Sequence, residues 1–593
     1  MKLVVPHTGE LKRADARIIR LAHFMGISCV PFSLDKSVQQ HAAFIEKAIP
    51  DRGSCFVVNP QVIREWTGDV LPADFISCLL SRFPFLLVHS LTMDSFGNDM
   101  IATLSGGRLQ SVHAIATAGQ PYEIASNARE VCGAFSGLSF GQINSDNDRV
   151  FSVTASAPTV RKLISIGGSP FMAGVKQDKT EILFLAGADL LDLNHEIGYA
   201  PLSGYFSRLM PHAMALRYIF GEECWHPGNP HASITIDDPL LWPDYGYLNF
   251  ENLLRLTEEH NFHATIAFIP HNYRRNSARI IQMFRENPRR FSICFHGNDH
   301  TEAELASTDT TRLNTMLGIA EERMKAHEQA TGLYCHKVMV FPSHDFSVEA
   351  LEVLKSRNFH AAMTSRPHPL GQPAPLRIAD LAQPALLRFG GFPLFVRSYP
   401  KGTQNQDIAF NLFFGRPLLV VGHHETFKQP SSLLKAIRRI NSVAPGISWS
   451  NLENAVDNAI LKRRMPDGTV QVRAYSSKVR ITNDSDSLER LSIVWGPPGE
   501  RSPYEQALRD GTRFPDVKVD DAGIRVFAEL APGASETFSV VYRNDHATLR
   551  KLGFRWDAKA FLRRRLSEMR DNYLSKNQQV LTAAETLRGR FLD

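Results

Sequence analysis

The sequence predicts a multidomain α/β protein with an N-terminal α/β domain, a central series of strand–helix units around a parallel sheet, and a C-terminal β-sandwich carrying a helical tail. Three observations lead there. At 593 residues the chain exceeds what a single hydrophobic core supports. Short apolar runs alternate with amphipathic helical stretches over the first three quarters. Beyond about residue 465 the rhythm changes to short strands split by Pro, Gly, Asn and Asp.

Residues 1–215 read as the first domain, Rossmann-like in layout. "KLVVPH" is a strand, and "ADARIIRLAHFMG" an amphipathic helix closed at Gly26. "SCVPFSL", "SCFVVNP" and "FPFLLVHS" continue as strands, with helical segments between the first two. "KLISIGG" and "EILFLAG" add two more. No G-x-G-x-x-G follows the first strand, so a dinucleotide site has no support. The glycine pairs at 106–107 and 167–168 read as turns.

Residues 216–462 alternate more cleanly. "ASITIDD" is a strand, and "FENLLRLTEEHNF" a helix with Phe250, Leu253, Leu254 and Thr257 on one stripe. The strands "HATIAFIP", "FSICFHG", "KVMVFPS" and "PLLVVGHH" follow, separated by helices such as "TTRLNTMLGIAEERMKAHEQATG", "SVEALEVLKSRNF" and, at the end, "SSLLKAIRRINSV". Such repeats build a parallel sheet, open or closed into a barrel. Reactive groups of these folds gather at the carboxyl ends of the strands. Polar clusters fall at those ends here: "DDP" at 237–239, "PHNYRR" at 270–275, "HGNDH" at 296–300, "PSHD" at 342–345 and "GHHE" at 422–425.

Residues 463–547 read as the sandwich and 548–593 as a basic helical tail, with eleven Lys or Arg against five Asp or Glu. On that helix Phe561, Leu562, Leu566, Met569 and Tyr573 share a face. The expectation is that this face packs on the body and the basic face is solvated, with a weak contact to anionic lipid or polymer as the second reading.

Hydrophobic residues make up 43% and charged residues 21%, an ordinary globular balance, and a net charge of +5 over this length gives no argument for nucleic acid. Seven scattered cysteines without a C-x-x-C favour reduced thiols and a cytoplasmic setting. The apolar run in "MKLVVPHTGELKR" is too short for a secretion leader, and no stretch approaches the roughly 18 apolar residues of a membrane helix.

The chemistry concentrates in two segments. Asp237 and Asp238 are adjacent at a strand end, where like charges repel and are partly desolvated; a metal ion is one candidate to offset that cost. His296 and His300 stand four apart directly after a buried strand, and in a helical turn such positions point the same way. Two imidazoles and a carboxylate make a ligand set for one divalent ion with an open position for water. The aspartate pair can supply both the third ligand and a general base. "PHNYRR" offers Asn272, Tyr273, Arg274 and Arg275 as substrate contacts; two guanidinium forks suit a carboxylate or phosphate, and a solvated turn is the equal alternative. Trp242, Tyr245 and Tyr247 are candidates for stacking on a substrate ring or for packing.

Taken in order, "TIDD", "HGNDH", "VFPS" and "VVGHH" resemble the motif set of the NodB-homology polysaccharide deacetylases, carbohydrate esterases built on a distorted (β/α) barrel. The resemblance covers about residues 230–430. It implies Asp237 as general base, Asp238, His296 and His300 as ligands of one divalent ion such as Zn²⁺, and His423 of Val421-Gly422-His423 as general acid, with His424 the alternative. It implies a carbohydrate substrate and hydrolysis of an acetamide. Two departures stand out. Pro239 replaces the usual Gly after the aspartates. In the third motif Phe341 stands where the family has an arginine that orients the base, leaving Arg274, Arg275 or Arg397 to reach in from other strand ends, or His344 and Asp345 to form a different support. The competing readings are a glycosidase using Asp237 with Asp345, a non-sugar amidase, and a non-catalytic polysaccharide-binding protein.

Overall fold

The computed structural model describes residues 1–34, 43–45, 55–115, 119–141, 148–154, 160–187, 190–198, 201–301, 303–372, 375–500, 502–544 and 554–574. The chain divides into two compact units, one built mainly from Met1–His226 and one from most of the rest. Most of the stretch between "SCVPFSL" and "SCFVVNP", and the tail before 554 and after 574, lie outside the described residues.

The first unit is organised by a nine-stranded sheet. Five strands, Leu3–His7, Cys29–Ser33, Cys55–Val58, Phe85–Val88 and Thr180–Leu185, are parallel. Val4, Val5, Phe56, Val57, Leu86 and Leu87 are buried, which explains their unbroken apolar runs. The Rossmann-like pattern stops there. Ser169–Gln177 pairs antiparallel with both Thr180–Leu185 and Arg161–Ile166, so the remaining sheet is a meander. Gly167 and Gly168, with φ of +55° and +80°, form the tight turn of that hairpin. Both central positions of such a turn need positive φ, so this glycine pair is a turn.

The second unit holds the barrel. Its parallel strands run, in spatial order, Leu394–Val396, Ala361–Thr364, Cys335–Val340, Phe291–His296, Ala264–Phe268, His231–Asp237 and Leu418–Gly422. The sheet bends round until its ends meet. Ser398, just past the last strand on one side, accepts from Val421 N–H at 3.0 Å and donates its own N–H to Leu419 at 2.9 Å. The fold is therefore a nearly closed barrel. Its strands are buried on both sides, as in Ile234, Ile236, Ile266, Ile293, Val338 and Val420. The helices sit where periodicity placed them: Phe250–Glu259, Thr310–Thr331, Val348–Ser356 and Ser431–Val443.

Residues Val470–Tyr542 form two facing sheets, one with Val470–Ala474, Glu489–Trp495, Gly523–Leu530 and Val517–Asp520, the other with Lys478–Thr482, Ser535–Tyr542, Tyr504–Arg509 and Thr512–Phe514. Val472, Ile493 and Ile524 face Val479, Ile481 and Phe538 across one core, the alternation expected of a sandwich.

The helix Phe554–Met569 corrects one expectation. Phe561, Leu562, Leu566, Met569 and Tyr573 are 48–74% exposed, while Arg564, Glu568 and Asp571 are buried. The helix turns charged side chains, not its apolar stripe, toward the barrel. The cause is local: the barrel mouth presents charged partners, and Arg275 grips Glu568 with both guanidinium nitrogens. None of the seven cysteines forms a disulfide, and Cys224 and Cys294 are buried. Among the described residues no helix is long and apolar enough to cross a membrane.

Candidate metal centre and active site

The strand His231–Asp237 ends at the barrel mouth, and its last residue is 1% exposed. The Asp237 carboxylate receives two parallel hydrogen bonds from Arg397, 2.8 and 2.9 Å long. Arg397 follows the strand Leu394–Val396 and is itself buried. Burial pushes the Asp237 carboxyl up, but Arg397, then His296, outweigh it and hold the group below its usual value. This arginine comes from the end of the strand Leu394–Val396, two places along the sheet from Cys335–Val340, the strand that Phe341 follows. Phe341 is buried against Phe346. His344 and Asp345 also reach the cavity, but His344 bonds Tyr399 at 2.8 Å and so does not replace the arginine.

Asp238 leaves the strand with φ of +83°, which turns its side chain toward two imidazoles. Its Oδ1 lies 3.3 Å from His296 Nε2 and 3.0 Å from His300 Nε2. One ligand atom from each of the three residues falls within 4.8 Å of the others. Oδ1 is buried yet makes no hydrogen bond. The three ligand atoms converge on a common point, and a small cation there would satisfy all three. His296 Nδ1 donates to the Val340 carbonyl at 3.0 Å, which leaves the Nε2 lone pair directed at that point. Two imidazoles and one carboxylate fit a zinc-type ion. Without one, burial is outweighed by His300, and Asp238 is held well below its usual value.

The segment 297–300 is a loop, not a helical turn. His300 reaches His296 because the loop is wrapped around one carboxylate. Glu304 accepts N–H groups from Asn298 (2.9 Å), Asp299 (3.1 Å), His300 (3.1 Å) and Thr301 (3.4 Å). Gly297 has φ of +59°, and a Cβ there would overlap Glu304 Oε1. Asp299, fully buried, takes Arg323 at 2.6 Å and His271 at 3.1 Å and pins the loop from behind. Positive φ recurs at His300, Ser343 and His344, so backbone strain collects around the site. Glu304→Ala is expected to weaken zinc binding by about ten- to a hundredfold without touching a ligand, because the loop loses the group that shapes it. Competition with a chromophoric chelator measures this.

His423 follows the strand Leu418–Gly422 and faces the cavity, its Nδ1 3.7 Å from Asp238 Oδ2. Burial pushes its pKa down, but Asp238 and Asp237 outweigh that and raise it to about 9. His424 points elsewhere: it is buried, its ring stacks on Tyr247 at 6.2 Å, and it lies 3.6 Å from Asp571. Of the two histidines, only His423 lines the cavity with the aspartates.

That cavity has a volume of about 470 Å³ and brings together Asp237, Asp238, His296, His300 and His423. It does not include Asn272, Tyr273, Arg274 or Arg275. Asn272 is buried, Arg274 lies over the Tyr273 ring at 5.0 Å, and Arg275 is occupied by Glu568. Tyr245 donates to Asp571 at 2.9 Å and Tyr247 packs on His424, so both aromatics serve packing. The cavity arginines come from elsewhere: Arg366, and Arg563, Arg564 and Arg570 of the C-terminal segment. The only sequence signal for these three was the basic density of the tail.

No family model matches the chain, and no curated protein matches its sequence. Among solved structures it is similar to Agd3, described as a novel carbohydrate deacetylase, at 10% identity over 91% of this chain and 98% of that one, with a TM-score of 0.46. It is similar to a family 4 carbohydrate esterase from Streptomyces lividans at 11% identity over 37% of this chain and 91% of that one, with a TM-score of 0.23. A putative polysaccharide deacetylase from Mycobacterium smegmatis is similar at 16% identity over 38% of this chain and 92% of that one, with a TM-score of 0.27.

Proposed function

We propose that the chain is a metal-dependent hydrolase of the polysaccharide deacetylase superfamily that removes the acetyl group from an N-acetylated sugar. One observation carries this reading: Asp238, His296 and His300 converge at the mouth of a parallel barrel, on the cavity that also holds Asp237 and His423. A divalent ion such as Zn²⁺ held by those three residues would activate water and stabilise negative charge on the amide oxygen. The chain's own groups do the rest. Asp237 is ionised through the neutral range and accepts a proton. Arg397 fixes both carboxylate oxygens, so the acceptor has one orientation. His423, whose protonated form Asp238 and Asp237 favour, donates to the departing sugar amine, which is a very poor leaving group as an anion.

The test uses the full chain stripped with a chelator and reloaded with one equivalent of zinc. Released amine is measured on N-acetylated oligosaccharides, with mass spectrometry to separate acetate loss from chain cleavage. The expected result is acetate loss that disappears on stripping and returns on reloading. Failure to bind an ion, or chain cleavage without acetate loss, overturns the reading.

A further inference from the structure

The wall of the cavity built by the C-terminal helix carries a charge that the barrel does not answer. Of the four acids around the cavity, Asp237 has Arg397 and Asp571 has Arg570 at 2.7 Å, while Asp238 faces His296 and His300 across the candidate ion site. Arg366 approaches the fourth, Asp345, at 4.0 Å. Arg564 is different. It is 3% exposed, it lines the cavity, and among the described residues its guanidinium makes no hydrogen bond or ion pair; its buried Nε is unsatisfied. Taking a guanidinium out of water costs several kcal/mol, roughly, unless an anion meets it. The helix has an apolar face available for packing, with Phe561, Leu562 and Leu566 exposed, and nevertheless turns Arg564 inward. The segment is anchored in that orientation by Glu568 on Arg275, Asp571 on Tyr245, and the Asn572 side chain accepting the Gly246 N–H at 2.7 Å. A divalent ion at Asp238 would make the cavity more positive still.

We propose that Arg564 forms a subsite for an oxyanion carried by the sugar substrate, a carboxylate or a phosphate, beside the acetamide. This deepens the deacetylase reading and rests on it for the word substrate. The planar fork of arginine pairs such groups through two parallel hydrogen bonds, and for a guanidinium as shielded from solvent as Arg564 that pairing discriminates strongly against a neutral hydroxyl. Arg563 lines the same wall.

The experiment is calorimetric binding to the full chain, with and without zinc. The probes are a neutral N-acetylglucosamine tetramer, a tetrasaccharide alternating N-acetylglucosamine with glucuronate, and N-acetylglucosamine phosphate with free N-acetylglucosamine as its neutral counterpart. The charged ligands are expected to bind at least about tenfold tighter than neutral ligands of equal length, and Arg564→Gln to abolish the difference. The two charged probes separate a carboxylate from a phosphate preference. Competition by inorganic phosphate in the zinc-free wild-type chain supplies a second readout that needs no variant: it should displace the charged ligands and leave the neutral ones. Equal affinity for charged and neutral ligands overturns the proposal, as does a preference that survives in Arg564→Gln with a wild-type melting curve. Acetate release is followed on the same samples. Charge-dependent binding without release would sink the deacetylase reading and leave the oxyanion subsite standing.

Discussion

Asp238→Asn is expected to reduce bound zinc to background and to slow acetate release more than about a thousandfold, close to 4 kcal/mol in the barrier. Asparagine is the informative substitution because residue 238 sits at φ of +83°. Asn tolerates that region better than other side chains, so the backbone turn survives and the change isolates the ligand. What is lost is the one anionic donor among three. His296 and His300 remain, but two neutral imidazoles give a weaker site. The same change withdraws the carboxylate that favours the protonated form of His423, so the metal and acid sides of the site suffer together. Losses from Asp238, His296 and His300 variants should therefore not add, because each removes the same assembled unit. Metal analysis beside the kinetic assay checks this. A variant that keeps its ion and its rate would place the chemistry elsewhere.

Arg397→Met is expected to cost about 3–5 kcal/mol in stability, since it leaves the Asp237 carboxylate buried without its partner. The pH dependence follows from the direction of the Asp237 shift. In the native chain its folded value lies below its unfolded one, so its contribution is present above the unfolded value and is lost as pH falls through the folded value. With the guanidinium removed, burial dominates and the folded value rises. The variant should then be most destabilised at neutral and alkaline pH, and the deficit should shrink as acid protonates Asp237. Denaturant unfolding at pH 5, 7 and 8.5 shows this. Pairing Arg397→Met with Asp237→Leu should restore much of the stability and none of the activity. A deficit independent of pH would argue that Arg397 acts by packing alone.

Parts of this site were legible in the sequence because their signals are local. The strand "ASITIDD" and the strand "FSICFHG" end in the residues that converge, and a parallel sheet brings strand ends together. The route by which His300 meets His296 was not local. Spacing of four allows a helical turn, whereas the loop is shaped by Glu304 and by a glycine at positive φ. Arg397 shows the limit more sharply. Its pairing with Asp237 spans 160 positions and depends on the barrel closing, which periodicity does not reveal. The tail inverted its expected orientation for a related reason. An apolar stripe predicts burial only when the partner surface is apolar, and Arg564, Glu568 and Asp571 met a polar mouth instead. In the first domain, the runs "KLISIGG" and "EILFLAG" marked two strands, but the strand Ser169–Gln177 between them carried no clear signal, so the antiparallel meander leading into Thr180–Leu185 was invisible.

The anchoring of residues 568–572 on the barrel has a consequence for the order of assembly. Those bonds join partners 293 and 326 positions apart, among the most distant pairings in the chain. Closure entropy grows with separation, though slowly, and these bonds need both partner surfaces already folded, so they are expected to form after the sheets on either side. During refolding the metal-binding residues should therefore mature ahead of the chamber around them, giving an interval in which zinc is captured before ligand selectivity is acquired.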